Sequence, residues 1–397
     1  MSASRIEAAV AAMGDGPLNE AGVARHVAPL FSRVLAQGRE RVYLANHSLG
    51  RPLDATEDDV REGVAAWYAR MGGAWDAWSE EMRAFRTRLA QLLGAPRHDC
   101  VVPKTSAGQG LRAILNTYDT VPHVVATRGE FDSLDVILRE YARRGRIALT
   151  LVEPEALAAA VEGRVDLVVV SQVVFNTGRV VSRLADAIAR THRAGGRVLL
   201  DVYHSLGVMP VDVQALGVDF AVGGSYKYLR GGPGACFLYL APRHLDGHLR
   251  TLDIGWFAKR EPFAYRRPDP PVLAEGGDAF LESTPPVLTS YQARAGQVFT
   301  IAVGVERLRA YSLDLQRRLV DALASHGVQS EGATADRGAF LVVEDEHAEA
   351  WADALEARGV ATDARGRYLR LCPDVLTTEA EIAAAATAVA ATRPPRG

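Results

Sequence analysis

Residues 199–204 read LLDVYH, and residues 219–228 read DFAVGGSYKY. Asp201 ends an apolar run, and Lys227 follows two glycines in an otherwise apolar segment. A carboxylate or an ammonium group in such surroundings is costly unless it meets an opposite charge or good hydrogen-bond partners. Taken singly, each residue has an ordinary explanation, because Asp201 can cap a turn and Lys227 can be a surface lysine. Together they indicate a buried pair with a chemical task.

Short apolar runs surround these two segments and alternate with helical stretches. The runs predict strands at 101–102, 124–125, 149–152, 167–170, 198–200 and 237–240, and the stretches between them predict helices at 106–117, 133–144 and 181–193. This alternation is typical of an α/β fold, in which a mostly parallel sheet is covered by helices on both faces. Ligands of such sheets bind beyond the carboxyl ends of the strands, where Asp201 stands.

The length of 397 residues exceeds what one hydrophobic core usually supports, so we expect two domains. A proline-rich stretch, 262–286, follows the α/β region. We predict a large domain over 45–285 and a smaller α+β domain formed by 1–44 and 286–397. The smaller domain has helical patterns at 5–37, 287–325 and 378–392, and strands at 340–343 and 368–371; a further helical region, 56–94, is broken at Gly72-Gly73.

Composition excludes several classes of protein. The net charge is −3 with acids and bases interspersed, so we expect neither a nucleic-acid partner nor a basic membrane-binding patch. No apolar run reaches the roughly 18 residues of a membrane span, and the N-terminus lacks a signal-peptide pattern, which favours a cytoplasmic location. Cys100, Cys236 and Cys372 are widely spaced, so neither a disulfide framework nor a metal site is expected.

The pairing of Asp201 with Lys227 suits one cofactor in particular. Burial lowers the pKa of a lysine amine, which is what an amine nucleophile requires. Chemistry with pyridoxal 5′-phosphate (PLP) uses a lysine that forms a Schiff base and then moves protons at Cα. It also uses a carboxylate that keeps the pyridine nitrogen protonated. The pair therefore predicts a PLP enzyme with its cofactor on Lys227.

Several further motifs carry a family resemblance. They are YKYL at 226–229, GGPG at 231–234, GWF at 255–257, REPFA at 260–264 and TPPVL at 284–288. With the aspartate and lysine segments, they resemble the class V aminotransferases, which are fold-type-I PLP enzymes, and within that superfamily they are most similar to kynureninase. The resemblance runs from about residue 42 to 310. It implies hydrolytic Cβ–Cγ cleavage of L-kynurenine or a related β-acyl or aromatic amino acid.

The resemblance also implies roles at the cofactor. Lys227 is the Schiff-base lysine and catalytic base, Asp201 pairs with the pyridine nitrogen, and His204 lies beside the cofactor. Tyr226, also assigned to catalysis, and Trp256 donate hydrogen bonds to the phosphate. Thr284 reaches across from a second subunit, which implies a homodimer with shared active sites.

Two other cofactor contacts have competing explanations. Phe131 would stack on the PLP ring, although it can also be an ordinary core residue. Ser106 and Ala107, in TSAG at 105–108, precede a helical pattern and suit a phosphate dianion. A serine before a helix is also an ordinary N-cap.

The substrate side matches the family less well. Arg370 would hold the α-carboxylate as a bidentate guanidinium, or it is a surface arginine. His47 faces the substrate or is a polar loop residue, and Trp75 and Trp78 pack a helix or line a pocket.

Departures from the kynureninase pattern concentrate on that side, at VFNTG (174–178), at Ser283 and at Cys372. We interpret Cys372 as a buried structural residue and not as a catalytic thiol. The departures leave open an aminotransferase, a lyase or a decarboxylating enzyme. A non-catalytic binding protein is a third hypothesis, which the presence of Lys227, Asp201 and Arg370 disfavours.

Overall fold

The structure is a computed structural model that describes residues 2–38, 41–247 and 249–394. The strands are β1 (Val42–Tyr43), β2 (Val101–Lys104), β3 (His123–Thr127), β4 (Ala148–Val152), β5 (Leu167–Ser171), β6 (Arg197–Asp201), β7 (Phe220–Gly224), β8 (Cys236–Leu240), β9 (Leu341–Glu344), β10 (Val360–Ala361), β11 (Asp363–Arg365) and β12 (Tyr368–Leu371). Each strand predicted from the apolar runs lies within or overlaps one of these.

The α-helices are interleaved with the strands along the chain. They are α1 (Ser2–Ala11), α2 (Glu20–Gly22), α3 (Ser32–Gln37), α4 (Ala55–Arg70), α5 (Ala74–Leu93), α6 (Ala107–Leu115), α7 (Asp132–Arg143), α8 (Leu157–Ala160), α9 (Leu184–Arg193), α10 (Val213–Leu216), α11 (Pro242–Asp246), α12 (Leu288–Val303), α13 (Val305–Ser325), α14 (Ala348–Glu356) and α15 (Glu379–Thr392). The helical pattern predicted over 287–325 is confirmed, and Gly304, with a φ of 88°, divides it into α12 and α13.

The central sheet has seven strands in the order β2-β8-β7-β6-β5-β3-β4. Neighbouring strands are parallel except at β8, which is antiparallel to both β2 and β7. The mostly parallel sheet predicted from the sequence is confirmed. Because β3, β5 and β6 run in one direction, their last residues, Thr127, Ser171 and Asp201, lie along the same edge of the sheet.

Strand β7, which lies just before Lys227, was not among the strands predicted from the apolar runs. Phe220–Gly224 is a fully buried strand. Its glycines are required by close neighbours, since a Cβ on Gly224 would lie 2.5 Å from the Tyr203 ring and one on Gly223 would lie 2.5 Å from Phe237. The chain therefore turns just after a central strand, and Lys227 is held at the carboxyl edge of the sheet.

Buried apolar side chains form two main clusters. The first surrounds the seven-stranded sheet and draws its residues from Phe85 to Ala293. The second draws on Ile6 to Leu53 and on Ala295 to Val389, around the three-stranded sheet β11-β12-β9. The domain boundaries at 45 and 285 stay a prediction. Within the described residues, no helix is long and apolar enough to cross a lipid bilayer.

Candidate active site

A cavity of about 190 Å³ lies at the carboxyl edge of the central sheet, where Ser171 and Asp201 end β5 and β6. Its lining contains many of the residues predicted from the sequence to hold the cofactor or act in catalysis: Ser106, Ala107, Phe131, Asp201, His204, Tyr226 and Lys227. Elements far apart in sequence therefore converge on one small space. The volume is in the range of a single small aromatic group.

Lys227 is the lysine that lines this cavity. Its side chain is buried, and its Nζ lies 2.7 Å from His204 Nε2. Burial lowers the pKa of Lys227 to about 7, with the Asp201 carboxylate opposing that shift and the Arg370 charge adding to it. The Nζ also lies 5.5 to 5.6 Å from the ring centroids of Phe131, Tyr203 and Tyr226. A large fraction of this amine is therefore neutral near pH 7 and able to attack an aldehyde.

Asp201 supplies the negative charge. It is buried at the end of β6, and its Oδ1 accepts a hydrogen bond of 2.8 Å from the Tyr203 N–H. Burial raises the pKa of Asp201 to about 6, while the Tyr203 N–H and the Lys227 charge pull it down. A buried carboxylate of this kind gains from a cationic partner, and a protonated pyridine nitrogen is such a partner.

His204 contacts Lys227 on one side and the Phe340 ring on another, with the His204 and Phe340 centroids 5.6 Å apart. Burial and the nearby charges of Lys227 and Arg370 hold the pKa of His204 well below its usual range, so the imidazole is neutral. Its Nδ1 is buried without a hydrogen-bond partner. The orphaned Nδ1 is a buried polar atom whose partner a bound group can supply.

The start of α6 forms another part of the cavity wall. Ser106 is the N-cap of this helix, and its Oγ accepts a 3.1 Å hydrogen bond from the Gln109 N–H. Ser106 and Ala107 both line the cavity. The N-cap interpretation therefore holds, and it is compatible with phosphate binding, because the free N–H groups and dipole of a helix start favour an anion.

Phe131 lines the cavity directly before α7. Its ring makes an edge-to-face contact with Phe175, with centroids 5.5 Å apart. Phe175 also lines the cavity, so the position called a departure in VFNTG is a wall of the same space. An aromatic face at this position suits a flat heteroaromatic ring.

Trp256 and Thr284 lie outside the cavity. The indole Nε1–H of Trp256 donates to Thr284 Oγ1 at 3.2 Å. Thr284 borders a neighbouring cavity that shares Thr105 and Cys236 with the first one. Their predicted contacts with the phosphate stay a prediction.

Arg370 and His47 form a buried group with Asp363, just beyond the cavity. Arg370 donates from Nε to Asp363 Oδ1 at 2.8 Å and from its Nη1 to Phe175 O at 2.6 Å. His47 Nε2 lies 2.7 Å from the same Asp363 oxygen. The sequence analysis did not identify Asp363 as a site residue. In the β11–β12 pair, Asp363 lies directly opposite Arg370. Since Arg370 is only 3% exposed, it is no surface arginine, and Phe175 connects it to the cavity wall.

The remaining candidates have structural surroundings. Trp75 and Trp78 make edge-to-face contact at 5.3 Å, and the Trp78 Nε1–H donates to Gly63 O at 3.0 Å. Cys372 is buried and donates from Sγ to Ala339 O at 3.1 Å, and burial raises its pKa far above the ordinary value. These contacts support packing roles for all three residues.

Comparisons with known proteins agree with this geometry. The family model Aminotransferase class-V matches residues 53–380, and the chain belongs to this family. Among curated relatives, a kynureninase of Deinococcus radiodurans is 29% identical over 354 residues, covering 84% of both chains. A kynureninase of Pseudomonas fluorescens is 27% identical over 344 residues, covering 82% of both. The chain is therefore a PLP-dependent enzyme, as the sequence predicted.

Solved structures support the same fold. The cystine C-S lyase C-DES, in complex with its reaction product cysteine persulfide, matches with a TM-score of 0.79 at 20% identity, covering 90% of this chain and 98% of that one. The cysteine desulfurase CsdA from Escherichia coli matches with a TM-score of 0.75 at 19% identity, covering 91% and 98%. At these identities the matches concern the fold and not the reaction.

Proposed function

We propose that the chain is a kynureninase-like hydrolase that cleaves the Cβ–Cγ bond of an α-amino acid with an aromatic β-acyl side chain, such as L-kynurenine. The curated relatives named kynureninase, at 25–29% identity, support this reaction. The single observation that carries it is the buried Lys227 amine, with its lowered pKa, in a cavity that Asp201 also lines. With L-kynurenine, one water is consumed, and anthranilate and alanine are released.

The cavity residues fit PLP by their chemistry. Lys227 would bind the aldehyde carbon, Asp201 would pair with the ring nitrogen, Phe131 would stack on the ring, and Ser106 with Ala107 at the start of α6 would hold the phosphate. Bound PLP supplies an electron sink that weakens the bonds at the substrate Cα. The remaining chemistry depends on side chains that move protons and hold the substrate.

Lys227 takes the proton from the substrate Cα in this proposal. A base works best when its pKa lies close to the working pH, which the value of about 7 satisfies. His204 Nε2, 2.7 Å away, accepts or returns that proton. Tyr226 lines the same cavity, and burial raises its pKa to about 12, so its neutral phenol can donate a proton to the substrate Cβ when the Cβ–Cγ bond breaks.

Arg370 holds the substrate α-carboxylate in this proposal. The hydrogen bonds from its Nε to Asp363 and from Nη1 to Phe175 O fix the plane of the guanidinium before substrate arrives. Such preorganisation reduces the entropy lost on binding. His47 contacts the Asp363 carboxylate and, in this proposal, faces the substrate. Burial and the Arg370 charge lower its pKa to about 4, so it acts as a neutral imidazole.

The proposal includes a homodimer with shared active sites. Trp256 and Thr284, which the family resemblance assigns to the phosphate, contact each other outside the cavity of their own chain. The surface beside them is apolar and exposed, as at Tyr265, which is 71% exposed and stacks on Trp256. Mixing Lys227→Ala protein with Thr284→Ala protein should then restore part of the activity that each lacks alone.

The decisive experiment incubates the purified PLP-loaded enzyme with L-kynurenine and with 3-hydroxykynurenine. We expect fluorescent anthranilate or its hydroxylated counterpart, together with alanine in equal amount, and no product from Lys227→Ala. If neither compound yields product while the protein binds PLP, the kynureninase-type reaction is wrong. A panel of amino acids then separates the alternatives, because pyridoxamine phosphate indicates an aminotransferase, pyruvate a lyase, and carbon dioxide a decarboxylating enzyme.

A further inference from the structure

Glu130 is a buried carboxyl group directly behind the cofactor cavity. It is 4% exposed and precedes Phe131, which forms a cavity wall. Its Oε1 accepts hydrogen bonds from the Thr127 hydroxyl at 2.5 Å and from the Ser171 N–H at 3.1 Å. Its Oε2 lies 2.7 Å from Ser171 Oγ. These three partners include no cation.

The position of Glu130 ties it to the catalytic edge of the sheet. Thr127 ends β3 and Ser171 ends β5, so Glu130 joins the two strand ends. Ser171 faces Asp201 across the β5–β6 pair, and Ser171 itself lines the cavity. Contacts therefore lead from Glu130 through Ser171 to Asp201, and the last two of these residues line the cavity.

Burial without a cation favours the neutral acid. Burial raises the pKa of Glu130 to about 7, the negative charge of Asp201 on the neighbouring strand adds to the rise, and the hydrogen bonds from Thr127 and Ser171 oppose it. The Asp201 charge acts on Glu130, and the Lys227 charge in turn acts on Asp201. Two neighbouring carboxyl groups in a buried site resist carrying charge together, so the proton resides on Glu130 when Asp201 is ionised.

The hydrogen-bond pattern decides which Glu130 oxygen carries the proton. Oε1 already accepts two donors, because the Thr127 hydroxyl accepts from the Gly129 N–H at 3.2 Å and directs its own hydrogen to Glu130. Ser171 Oγ is the donor to Oε2 when Glu130 is a carboxylate. When Glu130 is the neutral acid, Oε2 is the oxygen left to carry the proton, and it donates that proton to Ser171 Oγ. The Ser171 hydroxyl hydrogen is then free to turn towards the cavity. When Glu130 is ionised, Ser171 must donate to it instead and presents only a lone pair to the cavity.

We propose that Glu130 is a positioning residue that acts through Ser171: as the neutral acid it directs the Ser171 O–H into the cofactor cavity, and as the carboxylate it withdraws that donor. The inference rests on PLP binding, which the family establishes, and not on the kynureninase-type reaction. A donor directed into the cavity stabilises negative charge on the bound cofactor, and a lone pair in its place repels it. Cofactor affinity and absorbance therefore follow the protonation of Glu130.

The test uses the PLP-loaded enzyme with no substrate present. We expect the visible absorption band of bound PLP to change with pH in a transition centred near neutrality, accompanied by a loss of PLP affinity on the order of tenfold at high pH. Glu130→Gln, whose amide donates permanently to Ser171 Oγ, should keep the low-pH spectrum throughout. Ser171→Ala should lose the transition because the relaying hydroxyl is gone. Glu153→Gln, an exposed glutamate nearby, should keep the wild-type transition.

A wild-type transition in Glu130→Gln or in Ser171→Ala would overturn the proposal. A second measurement needs no variant and guards against misfolding. Infrared spectra of the intact enzyme, with its glutamates labelled with carbon-13 at the carboxyl group, should show a protonated, buried glutamic acid carbonyl below the transition that disappears above it. Absence of that band at pH 6 contradicts the proposal equally. Since no substrate is used, neither result depends on which amino acid the enzyme cleaves.

Discussion

Lys227 Nζ and His204 Nε2 lie 2.7 Å apart, and both side chains are buried. Two basic groups at this distance resist carrying positive charge together, because like charges repel strongly where water is excluded. Burial is the first cause of the lowered pKa of each group. The pair therefore shares at most one proton near neutral pH, which keeps a reactive amine available to the cofactor.

Lys227 should be the position that PLP modifies, although the chain offers another buried amine as a matched control. The sequence has three lysines, at 104, 227 and 259. Lys104 is also buried and has a lowered pKa, but its Nζ donates to Phe280 O at 3.0 Å and to Glu282 Oε1 at 2.6 Å. We expect borohydride trapping and peptide mapping to find the cofactor on Lys227 alone.

The rate of PLP uptake by the apoprotein should rise with pH to a plateau, with a midpoint near 7, because only the neutral Lys227 amine attacks an aldehyde. An ordinary lysine would give a midpoint about three units higher. Absorbance changes recorded after mixing apoprotein with PLP across pH 6 to 9 measure this midpoint. Label on Lys104, or a rate still rising steeply at pH 9, would refute the assignment.

The sequence predicts much of the cofactor side because its signals are local. Asp201 ends an apolar strand and Lys227 follows glycines, and each feature is visible within a few residues. The strand–helix alternation then places both at one edge of the sheet. The exception is β7, where Gly223 and Gly224 resemble a loop until Tyr203 and Phe237 are seen to occupy the space of their side chains.

The substrate side was harder to predict because its contacts depend on tertiary register. Asp363 holds Arg370 and His47 only because β11 and β12 pair with Asp363 opposite Arg370. Glu130 contacts Ser171, which is 41 residues away in sequence. Neither Asp363 nor Glu130 belongs to one of the motifs identified in the sequence. The residue type alone does not show whether a carboxyl group is buried or exposed.

Arg370→Lys should raise the KM for the amino-acid substrate by about tenfold or more, with PLP affinity unchanged. A lysine cannot reproduce the planar guanidinium that Asp363 orients and that pairs with a carboxylate. Asp363→Asn should raise KM less, because the arginine remains but is less firmly held. Arg367→Ala provides the control, since Arg367 lies in the same hairpin but is exposed and pairs with Glu344. Steady-state kinetics and PLP titration separate the two effects, and an unchanged KM in Arg370→Lys contradicts the assigned role.

Glu130→Gln should gain stability relative to wild type as the pH rises. The folded-state pKa of Glu130 is raised from its ordinary 4.5 to about 7. Between these values the folded wild type holds a proton that the unfolded chain has lost, so its stability falls with rising pH by up to about 1.4 kcal/mol per pH unit. Below pH 4.5 and above pH 7, the contribution of Glu130 to the stability of the wild type does not change with pH. Glutamine does not titrate, so the variant has no such pH-dependent contribution at any pH.

Urea unfolding midpoints at pH 5 and pH 8 test this dependence. The urea midpoint of Glu130→Gln minus that of the wild type should be clearly more positive at pH 8 than at pH 5. Glu140→Gln serves as the control, because Arg143 and Arg144 hold the pKa of that exposed carboxyl at about 2, below the tested range. Equal differences at the two pH values would show that Glu130 is ionised in the folded protein throughout.

Gly224→Ala should weaken PLP binding although residue 224 carries no polar group. The added Cβ would lie 2.5 Å from Tyr203 Cε1 and 2.6 Å from its hydroxyl oxygen. Tyr203 lines the cofactor cavity, and its hydroxyl contacts Cys236 Sγ at 2.9 Å, so the ring has little freedom to retreat except into the cavity. Overpacking of this kind costs about 1–3 kcal/mol, which corresponds to roughly a tenfold or greater loss of affinity if the ring enters the cofactor space.

Combining Gly224→Ala with Tyr203→Ala distinguishes displacement of the ring from general damage to β7. The second substitution removes the clashing ring, so the double variant should bind PLP more tightly than Gly224→Ala alone. Gly72→Ala is a suitable control, because no atom lies within 4 Å of its added Cβ, and it should bind PLP as the wild type does. Equilibrium titration with PLP gives all four affinities. If the double variant binds no better than Gly224→Ala, the methyl group disrupts the strand itself, and Tyr203 is not the element that transmits its effect to the cofactor.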